Sequence, residues 1–133
     1  MATSNLDGLC VLVVEDQLGV RTLLKRVLEH AGAQVTAVGS TREALAAFAH
    51  SRPDVLVSDI RMPGEDGYAL MRQVRALPEA QGGRVPAVAI SASIGEDELS
   101  LLHDVGFQLF IRKPFDAAQL RDAVANVSGR AGG

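Results

Sequence analysis

Residues 9–16 read Leu9-Cys10-Val11-Leu12-Val13-Val14-Glu15-Asp16, an unbroken apolar run that stops abruptly on two carboxylates. A continuous run of this length fits a strand buried on both faces, as in a parallel sheet, and falls far short of the roughly 20 residues a membrane-spanning helix needs. The period then changes. Val20, Leu23, Leu24, Val27, Leu28 and Ala31 recur at helical spacing, and Gly32 stands where a helix C-terminus belongs.

The same β-then-α unit repeats along the chain. Gln34 to Val38 is a short alternating piece, followed by Ser40-Thr41-Arg42-Glu43, a capping box that Ala44, Leu45 and Phe48 continue as a helix. Asp54 to Ser58 is a second long apolar run with its own acidic stop, Asp59, and the loop from Arg61 to Asp66 leads to Tyr68, Leu70, Met71, Val74 and Leu77. Val85 to Ile90 ends in Ser91-Ala92-Ser93, and a weaker helix with Leu99, Leu101 and Leu102 closes at Gly106. Phe107 to Ile111 is the last predicted strand, ending at Lys113-Pro114, and Asp116 caps a final helix with Leu120, Ala123, Val124 and Val127. All five prolines fall at joints between these pieces. Five such units predict an α/β fold with a mostly parallel sheet, doubly wound, with helices on both faces.

Composition agrees with one domain. The chain has 133 residues, 47% hydrophobic and 22% charged, enough for a real core and too few for a second module such as a DNA-binding domain. The net charge of −3 gives no drive toward nucleic acid or an anionic membrane. The first residues lack a basic and an apolar signal region, and the single cysteine, Cys10, cannot make an internal disulfide. A cytoplasmic location is the expectation. Residues 1–8 read as a leader, 9–127 as the domain, and 128–133 as a flexible, Gly-rich tail.

In a doubly wound sheet the site lies beyond the carboxyl ends of the strands. Glu15 and Asp16 stand there after the first strand, Asp59 after the third, Ser91 after the fourth and Lys113 after the fifth. Three crowded carboxylates suit a hard divalent cation such as Mg²⁺, and a partly neutralised carboxylate can attack phosphorus. Lys113 and Ser91 would serve the phosphoryl oxygens. Eleven of the thirteen basic residues are Arg, so a Lys at 113 points to a compact charge rather than a planar fork.

The stretches Val11 to Asp16, Asp54 to Gly67, Val85 to Ala92 and Phe110 to Phe115 together resemble the receiver domain of two-component response regulators. The resemblance spans roughly Leu9 to Val127. It implies a flavodoxin-like (βα)5 three-layer sandwich with strand order 2-1-3-4-5. Asp59 would be the phosphoacceptor, taking a phosphoryl group from a histidine kinase's phosphohistidine or from a histidine phosphotransfer domain. Asp16 would bind Mg²⁺ or Mn²⁺ directly, Glu15 largely through water, and Arg61 through its backbone carbonyl. Lys113 would pair with the phosphoryl oxygens, ahead of a cis peptide to Pro114. Ser91 and Phe110 would be the switch pair, changing the face made by the fourth helix, fifth strand and fifth helix. Phe110 lacks a hydroxyl, so its part would be steric.

The resemblance also implies partners: a downstream output domain or protein, and in some members a homodimer through the fourth-helix face. It implies no enzyme acting on a separate substrate. The leader and tail resemble receivers fused behind kinase modules, which favours a place in a longer hybrid kinase. Arg61, two residues beyond the acceptor, is expected to alter the lifetime of the acyl phosphate. A phosphatase of the haloacid dehalogenase type also uses a strand-end Asp with Mg²⁺, but needs a second Asp where Arg61 stands. An unphosphorylated binding module would not need all five groups. His30, His50 and His103 read as helix C-terminal residues, Tyr68 as packing or surface, and Glu96, Asp97 and Glu98 as acidic residues suited to a helix N-terminus.

Overall fold

A computed structural model describes residues 6–64 and 66–129 of the chain. The elements follow in strict alternation: β1 (Cys10–Val14), α1 (Leu18–His30), β2 (Gln34–Val38), α2 (Thr41–His50), β3 (Val55–Asp59), α3 (Gly67–Arg75), β4 (Ala87–Ser91), α4 (Glu96–Val105), β5 (Leu109–Arg112) and α5 (Ala117–Val127). The five strands form one parallel sheet in the order β2-β1-β3-β4-β5. That is the expected doubly wound, three-layer sandwich.

Continuous apolar strands are explained by burial on both faces. Val11, Val13, Val55, Val57, Val88 and Ile90 pack toward α1 and α5, meeting Leu24, Leu28, Leu120 and Val124. Their alternates Leu12, Val14, Leu56, Ala87 and Ala89 pack the other way, onto Ala44, Phe48, Leu70, Met71 and Leu102 of α2, α3 and α4. The period of two along each strand thus fills two separate cores. Each fully buried Leu or Ile side chain contributes about 2–3 kcal/mol of transfer free energy.

Caps fix the helix starts. The Ser40 hydroxyl accepts from the Glu43 N–H, and the carboxylates of Asp66 and Asp116 accept from the Ala69 and Gln119 N–H groups. A short 3-10 turn at Glu79–Gln81 bridges α3 and β4. The last strand starts at Leu109 rather than Phe107. The Phe107 N–H turns back to the Leu102 carbonyl to close α4, and the side chain of Gln108 accepts from the Ala87 N–H.

At the amino end, Leu6 is fully buried in the α1–α5 core and its N–H donates to the Ala31 carbonyl at 3.0 Å. The last residues of the expected leader therefore lie against the body of the fold. Of the expected tail, Ser128 and Gly129 close α5, and residues 130–133 lie outside the described residues.

Candidate functional site

The sheet register decides which strand ends meet. Val14 pairs with Ser58, so Glu15 and Asp59 emerge side by side from β1 and β3. Asp59 pairs with Ile90, and Ser91 with Arg112, which brings Ser91 and Lys113 to the same edge. The strand order reverses at β1, whose neighbours β2 and β3 are reached in opposite directions, and this opens a crevice at the carboxyl ends of β1 and β3.

Glu15, Asp16 and Asp59 converge there, each offering a carboxylate oxygen within 4.8 Å of the others. Glu15 is fully buried and Asp59 is 5% exposed. The Lys113 ammonium reaches across to both, 2.9 Å from Glu15 Oε1 and 3.2 Å from Asp59 Oδ2. Glu15 Oε2 also accepts from the Gln17 N–H at 3.1 Å, and Asp59 Oδ1 from the Arg61 N–H at 3.2 Å. Each acidic side chain in the pair thus has both oxygens engaged.

The electrostatics follow from crowding. Burial pushes the Glu15 carboxyl above the usual carboxylate range, and Asp59 adds to the rise while Lys113 opposes it. Burial works to lower the Lys113 ammonium, but the pull of Glu15 and Asp59 outweighs it, so its net shift is upward. One ammonium faces three carboxylates. The donor set is all oxygen, crowded and under-neutralised, which is the chemistry a hard divalent cation requires.

Ser91 is fully buried, and its Oγ donates to the Ser93 carbonyl at 3.2 Å and accepts from the Ser93 N–H at 3.3 Å. Its hydroxyl is thus turned toward the loop before α4. Phe110 is half-buried on β5, with the Arg112 guanidinium 5.6 Å from its ring centre, and lines a groove with Leu99, Leu102 and His103 of α4. The Lys113–Pro114 peptide is cis.

Two features were missed in the sequence. Gly67, the first residue of α3, lies against the acceptor strand: a Cβ there would stand 2.7 Å from the Asp59 carbonyl oxygen and 2.8 Å from Ile60 Cα. Its place at the end of the stretch Asp54 to Gly67 was the available signal, without a reason for the glycine. Glu98, read as a helix-start acid, accepts from the Gly95 N–H in that role and in addition takes the Arg61 guanidinium and the Tyr68 hydroxyl together.

Residues 11–125 match the family model of the response regulator receiver domain. The chain belongs to that family. It is a phosphoacceptor signalling domain of the two-component type, and its fold is the flavodoxin-like receiver fold. The receiver is 38% identical over 110 residues to an uncharacterized 14.6 kDa protein of Leptolyngbya boryana, covering 83% of this chain and 82% of that protein. It is 35% identical to the probable histidine kinase 2 of Oryza sativa over 92% of this chain but only 13% of the kinase. Among solved structures, the receiver domain of the sensor histidine kinase PA1611 from Pseudomonas aeruginosa, with a magnesium ion in its active-site cleft, is 30% identical with a TM-score of 0.82. That alignment covers 92% of this chain and 98% of the other. The receiver thus resembles a protein of its own size and a small part of a much longer kinase.

Proposed function

We propose that Asp59 is the phosphoacceptor, and that the receiver takes its phosphoryl group from a phosphohistidine of a histidine kinase or a histidine phosphotransfer domain. The carrying observation is the Asp59 carboxylate itself, nearly buried at the end of β3 between the Arg61 N–H and the Lys113 ammonium. In the transfer, an Asp59 oxygen forms a bond to phosphorus as the N–P bond breaks, and the departing imidazole keeps the electron pair and takes a proton. The product is an acyl phosphate, which water later hydrolyses to return the carboxylate.

Asp16 and Asp59 would hold a Mg²⁺ or Mn²⁺ ion directly, Glu15 through water and Arg61 through its backbone carbonyl. Such an ion supplies positive charge to the transferring phosphoryl oxygens. Lys113 neutralises the charge that develops on those oxygens, its ammonium already lying against Asp59. Ser91 exchanges its Ser93 partner for a phosphoryl oxygen, Phe110 shifts with it, and the face of α4, β5 and α5 changes. This chemistry is self-directed, with no separate substrate turned over.

The receiver works in the cytoplasm, its body spanning residues 9–127 with Leu6 packed into the same core, and an output domain or protein lies downstream. It contacts neither nucleic acid nor membrane; among the described residues no helix is long and apolar enough to cross one. Homodimerisation through α4 is the family's further option. The experiment is phosphorus NMR of the chain with Mg²⁺ and phosphoramidate, a small N–P donor. An acyl-phosphate signal that a chelator abolishes supports the reading. A stable phosphohistidine signal instead would contradict it.

A further inference from the structure

Arg61 is tied at two points. Its N–H donates to Asp59 Oδ1 at 3.2 Å, while its Nη2 lies 2.6 Å from both carboxylate oxygens of Glu98 and donates to the Ser93 carbonyl at 3.3 Å. Glu98 also accepts from the Tyr68 hydroxyl at 2.8 Å and from the Gly95 N–H at 3.3 Å. One carboxylate therefore joins the loop after β3, the start of α3 and the first turn of α4. The Ser93 carbonyl is shared with Ser91 Oγ, so the hydroxyl and the guanidinium anchor on one atom.

We propose that Glu98 is a positioning residue for the switch: it holds Arg61 on α4 in the unphosphorylated chain, and phosphorylation of Asp59 draws Arg61 away and releases Glu98 and Tyr68. This rests on Asp59 being the acceptor. The Arg61 side chain is 51% exposed and that of Glu98 27%, so the pair adds little to stability. That weakness makes it displaceable. A phosphoryl group carries more charge than a carboxylate and three acceptor oxygens, and it would arise beside the Arg61 backbone. Without Arg61, the partly exposed Glu98 carboxylate has its charge met by water and by the start of its own helix rather than by the loop after β3, so no ionic contact holds it against Tyr68. Tyr68, only 6% exposed, loses its charged acceptor in the same step.

The chain has one tyrosine and no tryptophan, so its ultraviolet emission reports Tyr68 alone. A phenol donating to a carboxylate emits weakly, and release brightens it. The full chain is titrated with beryllofluoride and Mg²⁺, with fluorine NMR counting the bound adduct. Wild-type emission rises to the level that Glu98→Gln shows before any addition, and Asp59→Asn shows no rise. Glu98→Gln, freed of the latch, binds beryllofluoride about fivefold more tightly, the low end of ordinary coupling between two sites. An adduct with unchanged Tyr68 emission, or equal affinity in Glu98→Gln, overturns the inference alone. No adduct on the wild-type chain overturns it together with the reading of Asp59.

Discussion

Lys113 and Glu15 lie 98 residues apart in the chain and meet at 2.9 Å, the ammonium after the last strand set on the buried carboxylate after the first. The same ammonium reaches Asp59 at 3.2 Å. Lys113 is therefore the internal counterion of the acidic cluster, occupying oxygens that a metal ion and a phosphoryl group would also use.

Removing that counterion has two opposite effects. Lys113→Ala leaves the carboxylates uncompensated and is expected to destabilise the metal-free chain by about 2 kcal/mol, below the range for fully buried pairs because the lysine is 19% exposed. Its affinity for Mg²⁺ should rise, since the cation no longer competes with an ammonium, while phosphorylation is lost. Urea denaturation with and without Mg²⁺ checks both. Unchanged metal affinity would show that Lys113 and the ion do not share the cluster.

Gly67→Ala should disturb the site through the backbone. The added methyl would meet the Asp59 carbonyl and Ile60 Cα, both main-chain atoms without rotamers to yield. A cost of about 2 kcal/mol is expected, as for overpacking elsewhere, with a slower phosphorylation rate. Chemical denaturation and the time course of adduct formation measure the two. A variant of wild-type stability and rate would contradict the close approach.

The legible part of this molecule was the part written in local pattern. Val11 to Val14, Val55 to Val57 and Ala87 to Ile90 are continuous because their two faces fill two cores, and Glu15 just past β1, Asp59 at the end of β3 and Ser91 at the end of β4 mark where each strand leaves the sheet. Asp59 and Lys113 were readable as strand-end groups for the same reason. The Arg61–Glu98–Tyr68 contact was not. Its partners are separated by 30 and 37 residues, and acids at a helix start already have a sufficient local explanation. Phe107 and Gln108 carried strand-like composition, but closing α4 took the first and a cross-strand side-chain bond the second.

Acid should open the Glu98 contact. The Tyr68 hydroxyl first, then the Gly95 N–H and Arg61, hold the Glu98 carboxyl below its ordinary range. A carboxylate lowered in the folded state contributes above its unfolded value and loses that contribution as pH falls through its folded value. Tyr68 emission should therefore rise as pH drops through the acidic carboxylate range, and Glu98→Gln should lack that step. In the same variant the phenol, pushed up to about 12 by burial and Glu98, should move back toward 10.0. Identical acid profiles in the two proteins would contradict the contact.

The core should respond separately from the chemistry. Leu56 is fully buried as the second residue of β3, three residues before Asp59, on the α2–α4 side of the sheet. Leu56→Ala is expected to cost about 3 kcal/mol as a cavity, read as a lower denaturant midpoint at unchanged slope. Adduct formation should persist while the chain is folded. A loss of phosphorylation in the folded variant would show that the β3 end is less rigid than the register implies.

The most direct measurement is the intact mass of the chain after incubation with acetyl phosphate and Mg²⁺, beside Asp59→Asn. One added phosphoryl group on the wild-type chain, absent from the variant and absent without Mg²⁺, is the expected result. The same adduct on Asp59→Asn, or none on the wild-type chain while Mg²⁺ binding is confirmed separately, would contradict the account.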